Sequence, residues 1–318
     1  MNISNIIVIT TGMESINLIS LLHSKQLVKG VVIPGAWGHI QHHLNEQLRA
    51  AGIPCFPYGK DNINQTLQSL QDISPDLGLM FFCSEKLDSD IYRIPGQGVI
   101  NIHASPLPEY RGAQPIYWQI RNGETRTALT AHIVDSSLDT GPVVAQKLVE
   151  IDPYDTHHCV LGRMSEILPS LIDEIIDKAA DGFIDRRPQT DQCSNLAPRI
   201  NQDDLHIDWS SITSEALCNQ VRAGSPHLGG AHLFLGQSVA QLLQASASDI
   251  SNFDTPPGTI VRVSPGEGLI VALKEGCIRL DIVANSEGVF DGYRYACLYD
   301  FKAGMQFHKS PLLNQQGH

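Results

Sequence analysis

The sequence has little positive charge. Its 318 residues include 22 Lys and Arg against 34 Asp and Glu, a formal net charge of −12. Divided at residue 200, the first part has 15 basic and 22 acidic residues, and the second part has 7 and 12. Binding of nucleic acids depends on Lys and Arg side chains that neutralise phosphates. The charge therefore disfavours a nucleic-acid partner in either part.

Long apolar runs are also missing. No stretch approaches the ~18 apolar residues that a membrane-spanning helix needs. The segment Ile6–Thr11 is too short and too β-branched for the hydrophobic region of a signal peptide, and no Lys or Arg precedes it. We expect a cytoplasmic protein without a membrane partner, and nothing in the sequence indicates its oligomeric state.

The cysteine and histidine patterns do not predict a metal site. The seven cysteines are odd in number and form no C-x-x-C pair, which is typical of reduced thiols. His157–Cys159 are adjacent in sequence and cannot all face one ion from a helix. His39, His42 and His43 have a helical spacing that favours a solvated helix face. We therefore predict no metal.

Apolar strands alternate with amphipathic helices in the first part of the chain. The predicted strands are Ile6–Thr11, Val28–Pro34, Ile53–Phe56, Leu77–Cys83 and Ile100–His103. This alternation predicts an α/β fold with a doubly wound, mostly parallel sheet. A later helix, His157–Ala180, should be kinked or broken at Pro169.

The last part of the chain has a different pattern. From Ala231 onward, short β-like runs are separated by turns, which predicts a small β-barrel. Residues 181–204 lack periodicity. We therefore predict a catalytic domain over 1–184, a linker over 185–204 and a smaller C-terminal domain over 205–318.

The most informative stretch is Val99–Gln114, VINIHASPLPEYRGAQ. Asn101 and His103 are two residues apart, a spacing that points both side chains to one face of a strand. An amide can donate to a developing oxyanion, and an imidazole can move protons near neutral pH. The alternative is a histidine at a strand end that simply bonds a loop carbonyl.

The surrounding residues resemble the folate-dependent formyltransferase family, whose signature is N-x-H-x-S-L-L-P-x-Y-R-G. Here it runs from Asn101 to Gly112, with Pro106 where the family usually has Leu. The segment Val134–Pro142, VDSSLDTGP, resembles the second signature of the family, which ends in Leu-Asp-Thr-Gly. The resemblance implies a Rossmann-like catalytic domain and a C-terminal domain similar to the OB-like domain of methionyl-tRNA formyltransferase.

The resemblance also implies the chemistry: 10-formyltetrahydrofolate as donor and a primary amine as acceptor. Asn101 would donate to the developing oxyanion, and His103 would handle the amine proton. Asp139 would orient His103 and raise its pKa by favouring the imidazolium. Taken alone, Asp139 is more typical of a turn residue that bonds its own backbone.

Two loops and the motif between them are expected to bind the donor. The expected cofactor-binding residues are Ser84, Glu85, Lys86, Leu87, Ser105, Pro106, Leu107, Pro108, Asp135, Ser136, Ser137 and Leu138. Cys83–Asp88 departs from the Tyr-Gly-x-Ile-Leu-Pro of tRNA-formylating relatives. Ser105 also has an alternative interpretation as a loop-capping hydroxyl. Arg111 and Gly112 are interpreted as structural, the Gly because of a special dihedral angle.

The acceptor is predicted to be a small or carrier-bound amine, for example an amino-sugar nucleotide. The first alternative, a methionyl-tRNA formyltransferase, is less favoured, because Pro34–His39, where the tRNA enzymes are basic, has no Lys or Arg. The second alternative is a non-catalytic folate- or metabolite-binding protein. The complete Asn101, His103 and Asp139 set favours an enzyme.

Overall fold

The computed structural model describes residues 2–35, 38–83, 86–183, 185–190, 192–236, 238–252 and 254–310. The chain divides into two compact units. Unit 1 comprises Met1–Pro115, Arg126–Val149 and Gly162–Pro198, and unit 2 comprises Ile116–Thr125, Glu150–Leu161 and Arg199–His318. The domain boundaries inferred from the sequence, at 184 and 205, stay a prediction.

Unit 1 contains a seven-stranded sheet with the order β3-β2-β1-β4-β5-β6-β7. Its strands are β1 (Ile6–Ile9), β2 (Val28–Pro34), β3 (Cys55–Tyr58), β4 (Leu77–Met80), β5 (Val99–His103), β6 (Arg126–Ile133) and β7 (Val143–Glu150). The pairs from β3 through β5 are parallel, and β6 is antiparallel to β5. The predicted doubly wound, mostly parallel sheet is confirmed.

Helices accompany these strands along the chain. They are α1 (Ile16–Ser24), α2 (His39–Ala50), α3 (Ile63–Ile73), α4 (Ser89–Tyr92), α5 (Pro115–Arg121) and α6 (His157–Ala180). By the boundaries above, α5 after Pro115 and the first residues of α6 are assigned to unit 2. Every residue of β1 and β4 is buried, as expected for central parallel strands covered on both faces. The buried side chains Leu44 and Leu48 of α2 lie four residues apart, on one stripe of that helix.

Of the two predicted effects of Pro169, a kink or a break, the break is wrong, and the kink stays a prediction. Helix α6 continues from His157 to Ala180 across this proline. A proline inside a helix removes one backbone hydrogen bond. Leu168, Leu171 and Ile172 on both sides of it are buried, so packing holds the two halves in one helix.

Unit 2 is built on an antiparallel sheet with the order β10-β11-β12-β9-β8, to which β13 adds by pairing with β12. Its further elements are α7 (Ser214–Gly224), β8 (Ala231–Leu235), β9 (Ser238–Ser248), β10 (Ile260–Ser264), β11 (Gly268–Ala272), β12 (Cys277–Asn285), β13 (Gly288–Asp291) and α8 (Gly292–Leu298). Ile207, Trp209, Leu280 and Tyr295 contribute to one apolar core.

A short segment joins the two edges of this sheet. At the start of β10, the Ile260 N–H donates to the Met305 carbonyl, and the Phe307 N–H donates to the Gly258 carbonyl. The His308 N–H donates to the Phe234 carbonyl on the β8 edge, at 2.8 Å. The segment therefore bridges the two edge strands of the antiparallel sheet. Within the residues described, no helix is long and apolar enough to cross a membrane.

Candidate active site

Two paired strands bring three polar side chains together. In the antiparallel register of β5 and β6, Asn101 lies opposite His132, and His103 lies opposite Thr130. Side chains two residues apart on a strand share a face. Asn101, His103 and His132 are all buried, with exposed fractions of 8%, 7% and 2%. The site is thus built on two paired, buried strands of the sheet.

Asp139 reaches the same place from the loop between β6 and β7. Its carboxylate accepts hydrogen bonds from Asn101 Nδ2 at 3.2 Å and from the Gly112 N–H at 3.0 Å. The second carboxylate oxygen lies 3.8 Å from His103 Nδ1. Asp139 is 5% exposed and has a φ of +55°, so its backbone is in the left-handed region. The structure therefore brings the three predicted catalytic residues together.

His132 is a further polar residue of this cluster that the sequence motifs do not predict. Its Nδ1 lies 3.1 Å from the Ile133 carbonyl, and its Nε2 lies 3.1 Å from Asn101 Nδ2. A carbonyl oxygen can only accept, so the proton sits on Nδ1, and Nε2 accepts from Asn101. Both N–H bonds of Asn101 are thereby used, one by His132 and one by Asp139. Thr130 and His132 are two residues apart on β6 and therefore share one face of that strand. This spacing points to the site only when the register between β5 and β6 is known.

The ionisation states follow from burial and from the close partners. Burial lowers the pKa of His103 below its ordinary value, although Asp139 and the Tyr110 carbonyl pull in the opposite direction. Asp139 does act in the predicted direction and raises the His103 pKa, but desolvation exceeds this attraction, so the pKa stays below its ordinary value. Burial alone would raise the pKa of Asp139, but the His103 imidazole and the Gly112 N–H, which donates to the carboxylate, lower it.

At neutral pH the site therefore holds a neutral imidazole beside an ionised carboxylate. His103 Nε2 lies 2.9 Å from the Tyr110 carbonyl and must donate to it. In the neutral ring the lone pair is then on Nδ1, the atom that faces Asp139. This arrangement can accept a proton at Nδ1 and stabilise the resulting charge.

The motif loop after β5 is held by its own hydrogen bonds. The Ser105 hydroxyl donates to the Glu109 carbonyl at 2.7 Å, and the Ser105 carbonyl accepts from Thr130 Oγ1 at 2.5 Å. Leu107 is buried, and Pro106 and Pro108 are half-buried. The hydroxyl of Ser105 thus matches the loop-capping alternative.

The other predicted donor-binding residues differ in exposure. Asp135 accepts from the Ser137 N–H and the Thr140 hydroxyl, which shapes the loop. Ser136, Ser137 and Leu138 are exposed, Leu138 to 61%. Lys86 is exposed, whereas Leu87 packs in the apolar core with its side chain turned away from solvent. Ser84 and Glu85 lie outside the described residues.

A cavity of about 720 Å³ lies apart from this cluster. It is lined by residues at the ends of β2 and β3 and by Lys60, Lys86 and Asp88. None of the three predicted catalytic residues lines it. Across the described part of the chain, no three His, Cys, Asp or Glu side chains are grouped to hold a metal ion.

Comparison with known families identifies both parts of the chain. Residues 54–175 match the family described as Formyl transferase, and residues 199–289 match Formyl transferase, C-terminal domain. A methionyl-tRNA formyltransferase from Thermodesulfovibrio yellowstonii is 32% identical over 232 residues, which is 73% of each chain.

Two solved structures share the fold. WlaRD, a sugar 3N-formyl transferase crystallised in the presence of dTDP and 5-N-formyl-THF, has a TM-score of 0.63 at 17% identity. The match covers 87% of this chain and 97% of WlaRD. HypX from Aquifex aeolicus, in complex with tetrahydrofolic acid, has a TM-score of 0.61 at 15% identity. That match covers 92% of this chain and 46% of HypX, so the chain spans about half the length of HypX.

Proposed function

Because the chain belongs to the formyl transferase family, we propose that it transfers the formyl group of 10-formyltetrahydrofolate to a primary amine. The observation that carries this proposal is the buried cluster of Asn101, His103 and Asp139. Fold alone does not fix function, whereas this cluster supplies a proton acceptor, a carboxylate and an amide at one point.

His103 acts as the proton acceptor. An amine attacks only as the neutral base, and the proton that it carries must leave during transfer. As the amine nitrogen bonds to the formyl carbon, the lone pair of His103 Nδ1 receives this proton, while Nε2 stays bonded to the Tyr110 carbonyl. The imidazolium then gives the proton to N10 of the donor when the bond between N10 and the formyl carbon breaks, so tetrahydrofolate leaves as a neutral amine. Asp139, 3.8 Å from Nδ1, stabilises the imidazolium that forms.

Asn101 stabilises the negative charge that develops on the transferred formyl oxygen. Its Nδ2 already donates to Asp139 and to His132, so one of these bonds is exchanged for the oxyanion. Removal of one such donor typically raises the barrier by ~2.7–4 kcal/mol. His132 holds the amide in the orientation that this exchange needs.

The donor is bound by the loops around this cluster. The exposed residues Ser136–Leu138 and the half-buried Pro106 and Pro108 offer backbone groups and apolar surface next to Asp139 and His103. These features fit a flat, partly apolar ligand with amide groups. Lys86 is the exposed cation of the other predicted donor loop. The side chain of Leu87 is assigned to the core and not to the donor.

The donor proposal is tested with purified protein, 10-formyltetrahydrofolate and a panel of amines, with tetrahydrofolate release as the readout. We expect release that depends on one class of amine and is lost in His103→Ala. Binding of folate without turnover of any amine would instead favour the non-catalytic binding protein.

The acceptor is proposed to be a small or carrier-bound amine, such as an amino-sugar nucleotide. The segment between β2 and α2, residues 35–38, contains no Lys or Arg, and the residues after 200 are net acidic. A tRNA acceptor requires phosphate neutralisation, and its affinity should fall by ~10³–10⁵ between 50 and 200 mM salt for 6–10 contacts.

Methionyl-tRNA is the alternative acceptor, because a relative that is 32% identical is named methionyl-tRNA formyltransferase. Formylation of methionyl-tRNA and of amino-sugar nucleotides is therefore compared side by side at physiological salt. We expect turnover of a sugar nucleotide or another small amine, and binding of initiator methionyl-tRNA no tighter than that of bulk tRNA. Efficient formylation of methionyl-tRNA would reverse this assignment.

A further inference from the structure

A segment after α6 runs along the loops that carry the active site. Arg187 and Val143 exchange two backbone hydrogen bonds of 2.8 Å, which adds the segment to the start of β7. Further along, the Tyr110 N–H donates to the Asn195 carbonyl at 2.7 Å. Gln189 lies between these two attachment points. The segment belongs to the predicted linker 185–204. In the structure its residues up to 198 are part of unit 1, and some of them form hydrogen bonds with the loop that follows β5.

The Gln189 side chain joins two loops through four hydrogen bonds. Its Nε2 donates to the Asp139 carbonyl at 3.0 Å and to the Gly141 carbonyl at 2.7 Å. Its Oε1 accepts from Arg111 Nε at 3.2 Å and from Arg111 Nη2 at 2.7 Å. Carbonyls only accept and a guanidinium only donates, so the orientation of the amide is fixed.

Both segments that Gln189 joins hold Asp139. On one side, Gln189 bonds the backbone of Asp139 itself, at the left-handed φ of +55°. On the other side, Arg111 precedes Gly112, whose N–H donates to the Asp139 carboxylate at 3.0 Å. The carboxylate is therefore placed through its backbone and through its side chain by one connected set of bonds.

We propose that Gln189 is a positioning residue, which sets the distance between the Asp139 carboxylate and His103 Nδ1 through its bonds to the loop carbonyls. This inference rests on the proposed function, in which Asp139 acts on His103. Gln189 itself touches neither the proton acceptor nor the amide of Asn101. Its contribution therefore acts through Asp139, in contrast to the catalytic role assigned to His103.

Two variants separate the bonds of Gln189. Gln189→Met keeps the length of the side chain and removes all four bonds. Gln189→Glu keeps the pairing with Arg111 and strengthens it by charge, but it cannot donate to the Asp139 and Gly141 carbonyls. Gln192→Glu, at an exposed position of the same segment, is the charge-matched control.

We expect kcat to fall about 10- to 100-fold in both Gln189 variants, as for a misplacement of the order of 1 Å. The KM for the amine should stay within about threefold, because the substrate contacts are unchanged. In Gln189→Met the His103 pKa, followed by ¹⁵N NMR, should fall further, because the carboxylate that opposes desolvation has moved away. Gln192→Glu should match the wild type.

The NMR titration needs no substrate, so it tests the inference even if the proposed reaction is wrong. An unchanged His103 titration in a folded Gln189→Met protein would overturn the inference. Wild-type kcat in Gln189→Glu would also overturn it, since the bonds to the loop carbonyls would then be dispensable. If Gln189→Met does not fold, Gln189→Glu still decides the question, since it retains the bonds to Arg111.

Discussion

The two sides of the active site are held by different kinds of bond. On the strand side, Asn101, His103 and His132 belong to β5 and β6, whose register is fixed by backbone pairing. On the loop side, Asp139 lies in the segment between β6 and β7 and is held by Gln189, Gly112 and Asn101. The positions of the strand residues are fixed by the backbone pairing of the sheet, whereas the position of Asp139 depends on hydrogen bonds of individual residues.

This difference separates two kinds of sensitivity. The paired strands should keep their backbone when a site side chain is replaced, so such variants report on chemistry. The loop should shift when one of its bonds is lost, so these variants report on geometry as well. Gly141 illustrates the tightness of the loop, because a Cβ there would lie 1.7 Å from the Ile133 carbonyl oxygen.

The largest expected effect is on the strand side. His103→Ala removes the proton acceptor, and kcat should fall about 10³-fold, within the ~10²–10⁴ that general acid–base catalysis contributes. The measurement is kcat on the true acceptor, with circular dichroism and thermal unfolding as controls for folding. Retention of more than about a tenth of the wild-type kcat would exclude His103 as the acceptor of the proton.

The second effect tests the loop side. Asp139→Asn keeps the shape of the side chain and removes the charge, and kcat should fall about 10²-fold. Because Asp139 raises the His103 pKa against the effect of burial, this pKa should fall further. The acid limb of the kcat/KM profile then moves to lower pH, since a lower pKa keeps the imidazole neutral in more acidic solution.

NMR titration of His103 in both proteins checks this second prediction independently of turnover. Equal titration curves would show that the carboxylate at 3.8 Å does not act on the imidazole. The same titration in Gln189→Met measures how far the effect of Asp139 on the His103 pKa decreases when the loop loses its bonds to Gln189 but Asp139 keeps its charge.

The smallest effect concerns His132, which contacts Asn101 on the strand side. His132→Phe keeps the ring and loses the Nε2 acceptor, so the Asn101 amide can rotate, and kcat should fall about tenfold. His132→Gln offers an acceptor with similar reach and should retain more activity. Equal kcat values in the two variants would show that His132 only fills space; the side-chain NH₂ signals of Asn101 report its rotation directly.

Much of this site could be predicted because its chemistry is local in sequence. Asn101 and His103 are two residues apart on one strand, so period-two alternation alone puts them on one face. Gly112, interpreted as a residue with a special dihedral, has a φ of +130°, and a Cβ there would lie 2.3 Å from the Ala197 carbonyl oxygen. The alternation of strands and helices was sufficient for the parallel part of the sheet.

The remaining features depend on long-range pairing. His132 faces Asn101 only through the β5–β6 register, and Gln189 reaches Asp139 from 50 residues away in sequence. The His103 pKa depends on a balance between burial and the charge of Asp139, and a sequence does not give the extent of burial. The continuity of α6 across Pro169 is likewise decided by packing and not by propensity.

The segment that closes the C-terminal sheet has a consequence for self-association. An open sheet presents unpaired N–H and C=O groups at its two edge strands, and these attract strands of other molecules. Here the backbone of Met305–His308 pairs with the chain next to β10 and with β8. This segment thus occupies backbone groups on both edges at once, at the start of β10 and at Phe234 of β8, and it shortens the length of edge open to another strand, although β8 carries no Lys, Arg, Asp or Glu.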